Sequence, residues 1–315
     1  MAKLYPHNLL EFERQFRTED DCRRYLVQVR WPYGFRCPRC GNAQAWLLSR
    51  RVWKCGDCRA MVSATTGTIF HGSHLPLRLW FRAMWWFTNQ KTGISALGLQ
   101  RALGLGSYRT AWMCLHKLRR AMVRPNREPL AGKVEVDELY VGGRYKGPWH
   151  GKGLGMTLGA KSMIAAAVEV RGEGMGRLRL QVIPRRSHEH LTRFVRQVAA
   201  PGSAIVTDGW FPYTHLVESG YVHEPHTTGT AEQGPSPLPR IHRVSALLKR
   251  WLLGVLQGRA SRQQLPHYLE EFAFRFNRRH SLHRGQLFYR LIQQASSTEP
   301  HPIGRLRNPR TLSVG

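Results

Sequence analysis

Two pairs of cysteines constrain this chain more than any other feature. Cys37-Pro-Arg-Cys40-Gly41 and Cys55-Gly-Asp-Cys58 are separated by fourteen residues, so each pair forms a tight knuckle and the two knuckles can close a tetrahedron of thiolates on one metal ion. Gly41 and Gly56 supply backbone freedom for those turns. The spacing predicts a structural zinc ribbon, with a rubredoxin-like iron site as the rival and an unmetallated cluster as a third reading. Zinc is worth on the order of 10 kcal/mol to modules of this size, so the metal would be part of the fold. Cys22 and Cys114 lie outside the pattern and read as core residues.

The charge balance narrows the partners. The 315 residues include 48 Lys and Arg against 20 Asp and Glu, a formal charge of +28, which calls for a polyanion, above all nucleic acid. A membrane surface is the competitor. The most apolar stretch, Leu77 to Phe87, is interrupted by Arg78 and Arg82 and falls short of the ~20 residues that span a bilayer. No transmembrane helix is expected. Met1 to Phe12 hold no apolar run of the signal-peptide kind, which predicts a cytosolic chain with reduced thiols.

Against this basic background, Val134-Glu135-Val136-Asp137-Glu138-Leu139-Tyr140-Val141 alternates apolar residues with acids and stops at Gly142-Gly143. The pattern predicts a half-buried strand on which Glu135 and Asp137 share a face. Carboxylates held inside a strand suit a hard divalent cation, which in turn binds phosphate. The alternative is that the glutamates face water and Asp137 caps a turn.

Upstream, Thr18-Glu19-Asp20-Asp21 reads as a helix start. Leu75 to Val123 has helical periodicity in three segments, Leu77 to Asn89, Ile94 to Leu103, and a third entered through Gly104-Leu-Gly106-Ser107. The third sets Ala111, Leu115, Leu118 and Met122 on one stripe and leaves Arg109, Lys117 and Arg120 for other faces. A short glycine turn into a basic helix suggests a helix-turn-helix that contacts DNA, or else an ordinary helical hairpin with a solvated basic face.

Downstream, Pro125 to Pro129 reads as a linker. Gly142 to Lys161 reads as a mobile loop whose Arg144, Lys146, His150, Lys152 and Lys161 suit a phosphate backbone, although a solvated loop would look similar. Met163 to Val170 and Arg177 to Ile183 read as a strand hairpin, Ser187 to Val198 as a capped helix, and Ala204 to Thr207 as a strand ending at Asp208-Gly209. This order predicts a mixed α/β fold. His223 to Arg240 reads as a flexible crossing, Ile241 to Gly254 as a helix, Tyr268 to Asn277 and Leu282 to Gln294 as two more, and 297–315 as a mobile tail. His242 and Lys249 sit seven residues apart, two helical turns, so both can point at one site. The expected domains are 1–74 with the ribbon, 75–128 helical, 129–296 catalytic, then the tail.

Asp137, Asp208 and His242, with Lys249 following, resemble the catalytic set of DDE-type insertion-sequence transposases. The resemblance is closest to the bacterial ISXO2-like group, which carries a zinc ribbon ahead of its catalytic domain. It spans Arg23 to about Phe288 through Arg30-Trp-Pro-Tyr-Gly-Phe35, Thr66-Gly-Thr-Ile-Phe70, Val134-Glu-Val-Asp-Glu138, Asp208-Gly-Trp210 and Glu271-Phe-Ala-Phe-Arg-Phe-Asn-Arg-Arg279. Where the family often has Glu in third place, this chain has His242, which suits Mn²⁺ better than Mg²⁺.

The resemblance implies an RNase H-like fold in which Asp137, Asp208 and His242 hold Mg²⁺ or Mn²⁺ and Lys249 contacts a DNA phosphate. Water frees a 3′-hydroxyl at the element's end, and that hydroxyl attacks target DNA. Glu135 and Glu138 are expected beside the site or facing solvent. Double-stranded DNA is the partner, a homodimer follows by analogy, and the location implied is the bacterial cytoplasm at the nucleoid. Two other readings are a catalytically weakened relic with the same fold and a zinc-ribbon DNA-binding regulator.

Overall fold

The computed structural model describes residues 5–49, 51–123, 127–142, 161–226, 238–257, 260–302, 304 and 306. Arg144, Lys146, His150 and Lys152, the centre of the His223 to Arg240 crossing and most of the expected tail lie outside them. In chain order come helices α1 (Leu9–Gln15) and α2 (Glu19–Arg30), strands β1 (Ala45–Leu47), β2 (Trp53–Cys55) and β3 (Met61–Val62), and helices α3 (Leu77–Asn89), α4 (Ala96–Leu103) and α5 (Tyr108–Ala121). Strands β4 (Lys133–Gly142), β5 (Lys161–Arg171) and β6 (Gly174–Ile183) follow, then helix α6 (His188–Val198), strand β7 (Ala204–Thr207), a 3₁₀ turn (Phe211–Leu216) and strand β8 (Val222–Pro225). Helices α7 (Pro239–Leu256), α8 (Leu265–Phe276) and α9 (Arg284–Ser297) complete the order. The chain forms two compact units, Met1–Arg124 with His280–Gly315, and Pro125–Arg279.

The first unit is helical around an aromatic core. Phe288 of α9 packs edge-on against Phe12, Phe81 and Trp85, and Phe12 stacks on Trp85 at 4.8 Å. Thr18 and Asp21 close a reciprocal capping box on α2. The next residue serves a different helix: the Glu19 carboxylate accepts the N–H groups of Leu77 and Arg78. It thus supplies the cap that Pro76 cannot give α3. Helix α9 packs on α2, α3 and α5, so the segment from His280, which the sequence periodicity ran together with the catalytic domain, belongs to this unit.

Helix α5 differs from a solvated basic helix. Lys117 is buried, with Nζ donating to the Ile69 carbonyl at 3.1 Å near the face of Trp80, and burial lowers its pKa. Its expected phosphate contact is therefore corrected: the ammonium is already spent on a main-chain acceptor inside the helical core. Arg120 is half-buried against the His116 carbonyl, and Arg109 is exposed in the first turn of α5.

The second unit is built on a five-stranded sheet in the order β6-β5-β4-β7-β8. The β4–β5 and β5–β6 pairs are antiparallel, and the β4–β7 and β7–β8 pairs are parallel. This is the mixed sheet of an RNase H-like fold. Val134, Val136, Phe194 and Val195 fill one face under α6. Leu139, Val141, Val244, Leu248 and Phe272 fill the other under α7 and α8. Strand β8, Val-His-Glu-Pro, falls where the sequence suggested a flexible crossing; four residues on a sheet edge carry too little apolar pattern to be read. The opposite edge is pinned from α8, because the Asn277 amide both accepts from and donates to the Leu178 backbone.

Candidate active site

Strand β4 places its three acids on two faces. Glu135 is buried, and its carboxylate accepts the Ile241 N–H at 2.9 Å and the Arg240 guanidinium at 3.0 Å. Helix α7 begins at Pro239 with no side-chain cap from Leu238, so Glu135 caps it from across the fold. That contact excludes a solvent-facing Glu135. Two residues along the same face, the Asp137 carboxylate lies 3.7 Å from His242 Nε2.

Asp208 arrives from the neighbouring strand. Glu135 pairs with Val206 in the parallel β4–β7 ladder, and continuing that register by two residues sets Asp208 level with Asp137. Its Oδ1 accepts the Trp210 N–H at 3.0 Å and its Oδ2 accepts from Arg186 at 2.9 Å. The structure thus brings Asp137 and His242 together, with Asp208 at the adjoining strand end. Lys249 is exposed two turns further along α7. Lys161 is half-buried at the start of β5, with its carbonyl accepting from Arg262.

Burial raises the Asp137 pKa, the charge of Asp208 adds to the rise, and the Glu138 N–H and His242 oppose it. Glu138 points to the opposite face of β4, where it accepts from the Tyr213 hydroxyl at 2.5 Å and ion-pairs with Arg186 Nε at 2.7 Å. It is buried rather than solvent-facing, and burial pushes its pKa up to about 7 against the pull of Tyr213 and Arg186. A half-buried Asp137 with the His242 imidazole 3.7 Å away and Asp208 at the adjoining strand end offers oxygen and nitrogen donors of the kind a divalent cation takes, with Arg186 as the cation now paired to Asp208. Arg186 and Tyr213 were not legible as site residues. The signals available were the Arg185-Arg186 pair ahead of the Ser187 cap and the aromatic run after Asp208.

The four knuckle cysteines form the second candidate centre. Their sulfur atoms all lie within 4.8 Å of one another. Strands β1, β2 and β3 form an antiparallel sheet beside them, and Trp31, Phe35 and Trp53 pack together beneath it. Gly41 adopts φ +78°, the left-handed turn that the first knuckle requires. A Cβ on Gly56 would press to 3.3 Å on Gln44. The donor set of four thiols suits structural zinc.

Comparison with known proteins finds matches over both stretches of the chain. Residues 129–277 match the ISXO2-like transposase domain and residues 17–61 a transposase zinc-ribbon domain. The chain is 28% identical over 281 residues to an uncharacterized protein in transposable element ISH50 of Halobacterium salinarum, an alignment covering 83% of this chain and 92% of that protein. No helix among the described residues is long and apolar enough to cross a membrane. Along the chain, then, a segment similar to a transposase zinc ribbon is followed by one similar to the ISXO2-like transposase domain.

Proposed function

We propose that the chain cuts the phosphodiester at the ends of its element to free a 3′-hydroxyl and transfers that strand to target DNA, with Asp137, Asp208 and His242 as the ligands of catalytic Mg²⁺ or Mn²⁺. The observation that carries this reading is the approach of His242 to Asp137 beside a parallel strand whose register delivers Asp208. Divalent ions bound there supply activation of the attacking oxygen and charge neutralisation of the leaving one. The chain's own residues do the rest. Glu135 fixes the start of α7 and with it the place of His242, the residue after Ile241, beside Asp137. Lys249, further along the same helix, takes a DNA phosphate. Arg109, Arg120 and Lys161, with Arg144, Lys146 and Lys152, add contacts to the duplex, and zinc in the cysteine cluster holds the ribbon. Two ends must be joined, which calls for a homodimer on DNA in the cytoplasm at the nucleoid.

The test is nicking of supercoiled DNA carrying the element's ends, with Mg²⁺ or Mn²⁺. Wild type should nick, and Asp208→Ala and His242→Ala should lose at least about a hundredfold, the scale for removing a group that acts in the transition state. Equal activity in all three removes the site. A second reading, a relic that binds ends without cutting them, draws on the imidazole that stands in place of a third carboxylate. End binding by a wild type that nicks nothing would favour it.

A further inference from the structure

Arg186 follows β6 and immediately precedes Ser187, the cap of α6. Its guanidinium is shared between two acids: Nε lies 2.7 Å from Glu138 Oε2 and Nη2 lies 2.9 Å from Asp208 Oδ2. The Trp210 ring lies against its face at 3.8 Å. Glu138 is anchored from its other oxygen by Tyr213, so one cation joins a buried carboxylate outside the proposed ion ligands to an acid within them.

We propose that Arg186 is the resident counter-ion of the candidate ion site: it holds Asp208 while no divalent ion is bound and yields that carboxylate when one binds, staying in place on Glu138 and Trp210. The inference rests on the reading of Asp137, Asp208 and His242 as an ion site. Glu138 and Asp208 lie 2.7 Å and 2.9 Å from the same guanidinium, so Arg186 is the cation that offsets the acids gathered at this strand end. A carboxylate oxygen engaged by a guanidinium cannot offer the same lone pair to a metal. The guanidinium cannot simply leave, because Glu138 is only 3% exposed and would be stranded as an unpaired buried charge. It can pivot, and Nη2 then faces the site as a donor suited to a phosphate oxygen.

The test is Mn²⁺ affinity of the zinc-loaded, full-length protein, read by calorimetry or by loss of the free-ion paramagnetic signal. Arg186→Met removes the competitor and should tighten Mn²⁺ binding about fivefold, the size of one partly screened ion pair. Glu138→Gln leaves the guanidinium a single carboxylate, Asp208, and should weaken binding by a similar factor. Arg186→Lys, which keeps the charge, should return towards wild type. A purely structural Arg186 would weaken binding in both Arg186→Met and Glu138→Gln, and that result, or unchanged affinity, overturns the proposal. Asp208→Ala separates the two readings. Mn²⁺ binding that persists in it sinks the ion site and the inference together, whereas binding lost there but not tightened in Arg186→Met sinks the inference alone.

Discussion

The Glu135 carboxylate accepts the backbone N–H of Ile241 at 2.9 Å, a bond between the central strand and the first turn of α7. An acid at a helix N-terminus satisfies an orphan donor and meets the positive end of the helix dipole. Because His242 is the next residue, the same bond sets where its imidazole stands, 3.7 Å from Asp137. Glu135→Ala should lower unfolding stability by about 2–4 kcal/mol, since it strands Arg240 and the helix end together. Glu135→Gln keeps an acceptor for Ile241 and should lose less. Urea unfolding of the three proteins checks the order, and an alanine variant within about 0.5 kcal/mol of wild type would show that α7 is held elsewhere.

Metal removal should unfold the ribbon. The sheet beside the cysteines has strands of only three, three and two residues, too little to stand without a cross-link. Chelation or Cys55→Ser should release one zinc per chain, by the donor set of one tetrahedral site, and expose Trp31 and Trp53 to solvent as a fluorescence red shift. Thiol titration that frees no zinc would contradict this.

Lys117 and Arg109 should separate stability from DNA binding, although both are cations of one helix. Lys117→Ala leaves the Ile69 carbonyl without its 3.1 Å donor and opens space in a buried site, so it should lower the melting temperature, by about 2 kcal/mol of stability. Arg109→Ala, at an exposed position, should melt like wild type, bind DNA more weakly and lower the salt slope of binding by about 1. The reverse pattern would restore Lys117 as a phosphate contact.

What could be read from the sequence follows from what is local. The knuckles are local, and so is the alternation of β4, whose period of two puts Asp137 and Glu135 on one face. The His242–Lys249 interval is a helical interval and survives in α7. Partner choice across the sheet is not local. Nothing in Arg185-Arg186 says that the second arginine bridges Glu138 and Asp208, because that depends on β4 and β7 being neighbours. Helical periodicity located the apolar stripe of α5 but not the burial of Lys117, which follows from α5 packing on α3 and α9 as well as on α4. The same limit applies to α9, whose pattern gives a helix but not the unit it joins.

Acid sensitivity should follow from Glu169. Its carboxylate, in β5, accepts the N–H groups of Ala131 and Arg177 and pairs with the Arg177 guanidinium at 2.5 Å. Burial opposes ionisation, but the Arg177 and backbone hydrogen bonds outweigh it and hold the pKa below the ordinary 4.5. A folded-state pKa that is depressed means the unfolded chain binds the proton more tightly, so the stabilisation is present above the ordinary glutamate value and is lost as pH falls through the folded one. Glu169→Gln should therefore cost about 2 kcal/mol at neutral pH, and the gap to wild type should close as the pH drops below 4.5. Urea midpoints measured across that range decide it: a gap that stays constant with pH would mean that Glu169 contributes by shape and hydrogen bonding, not by its charge.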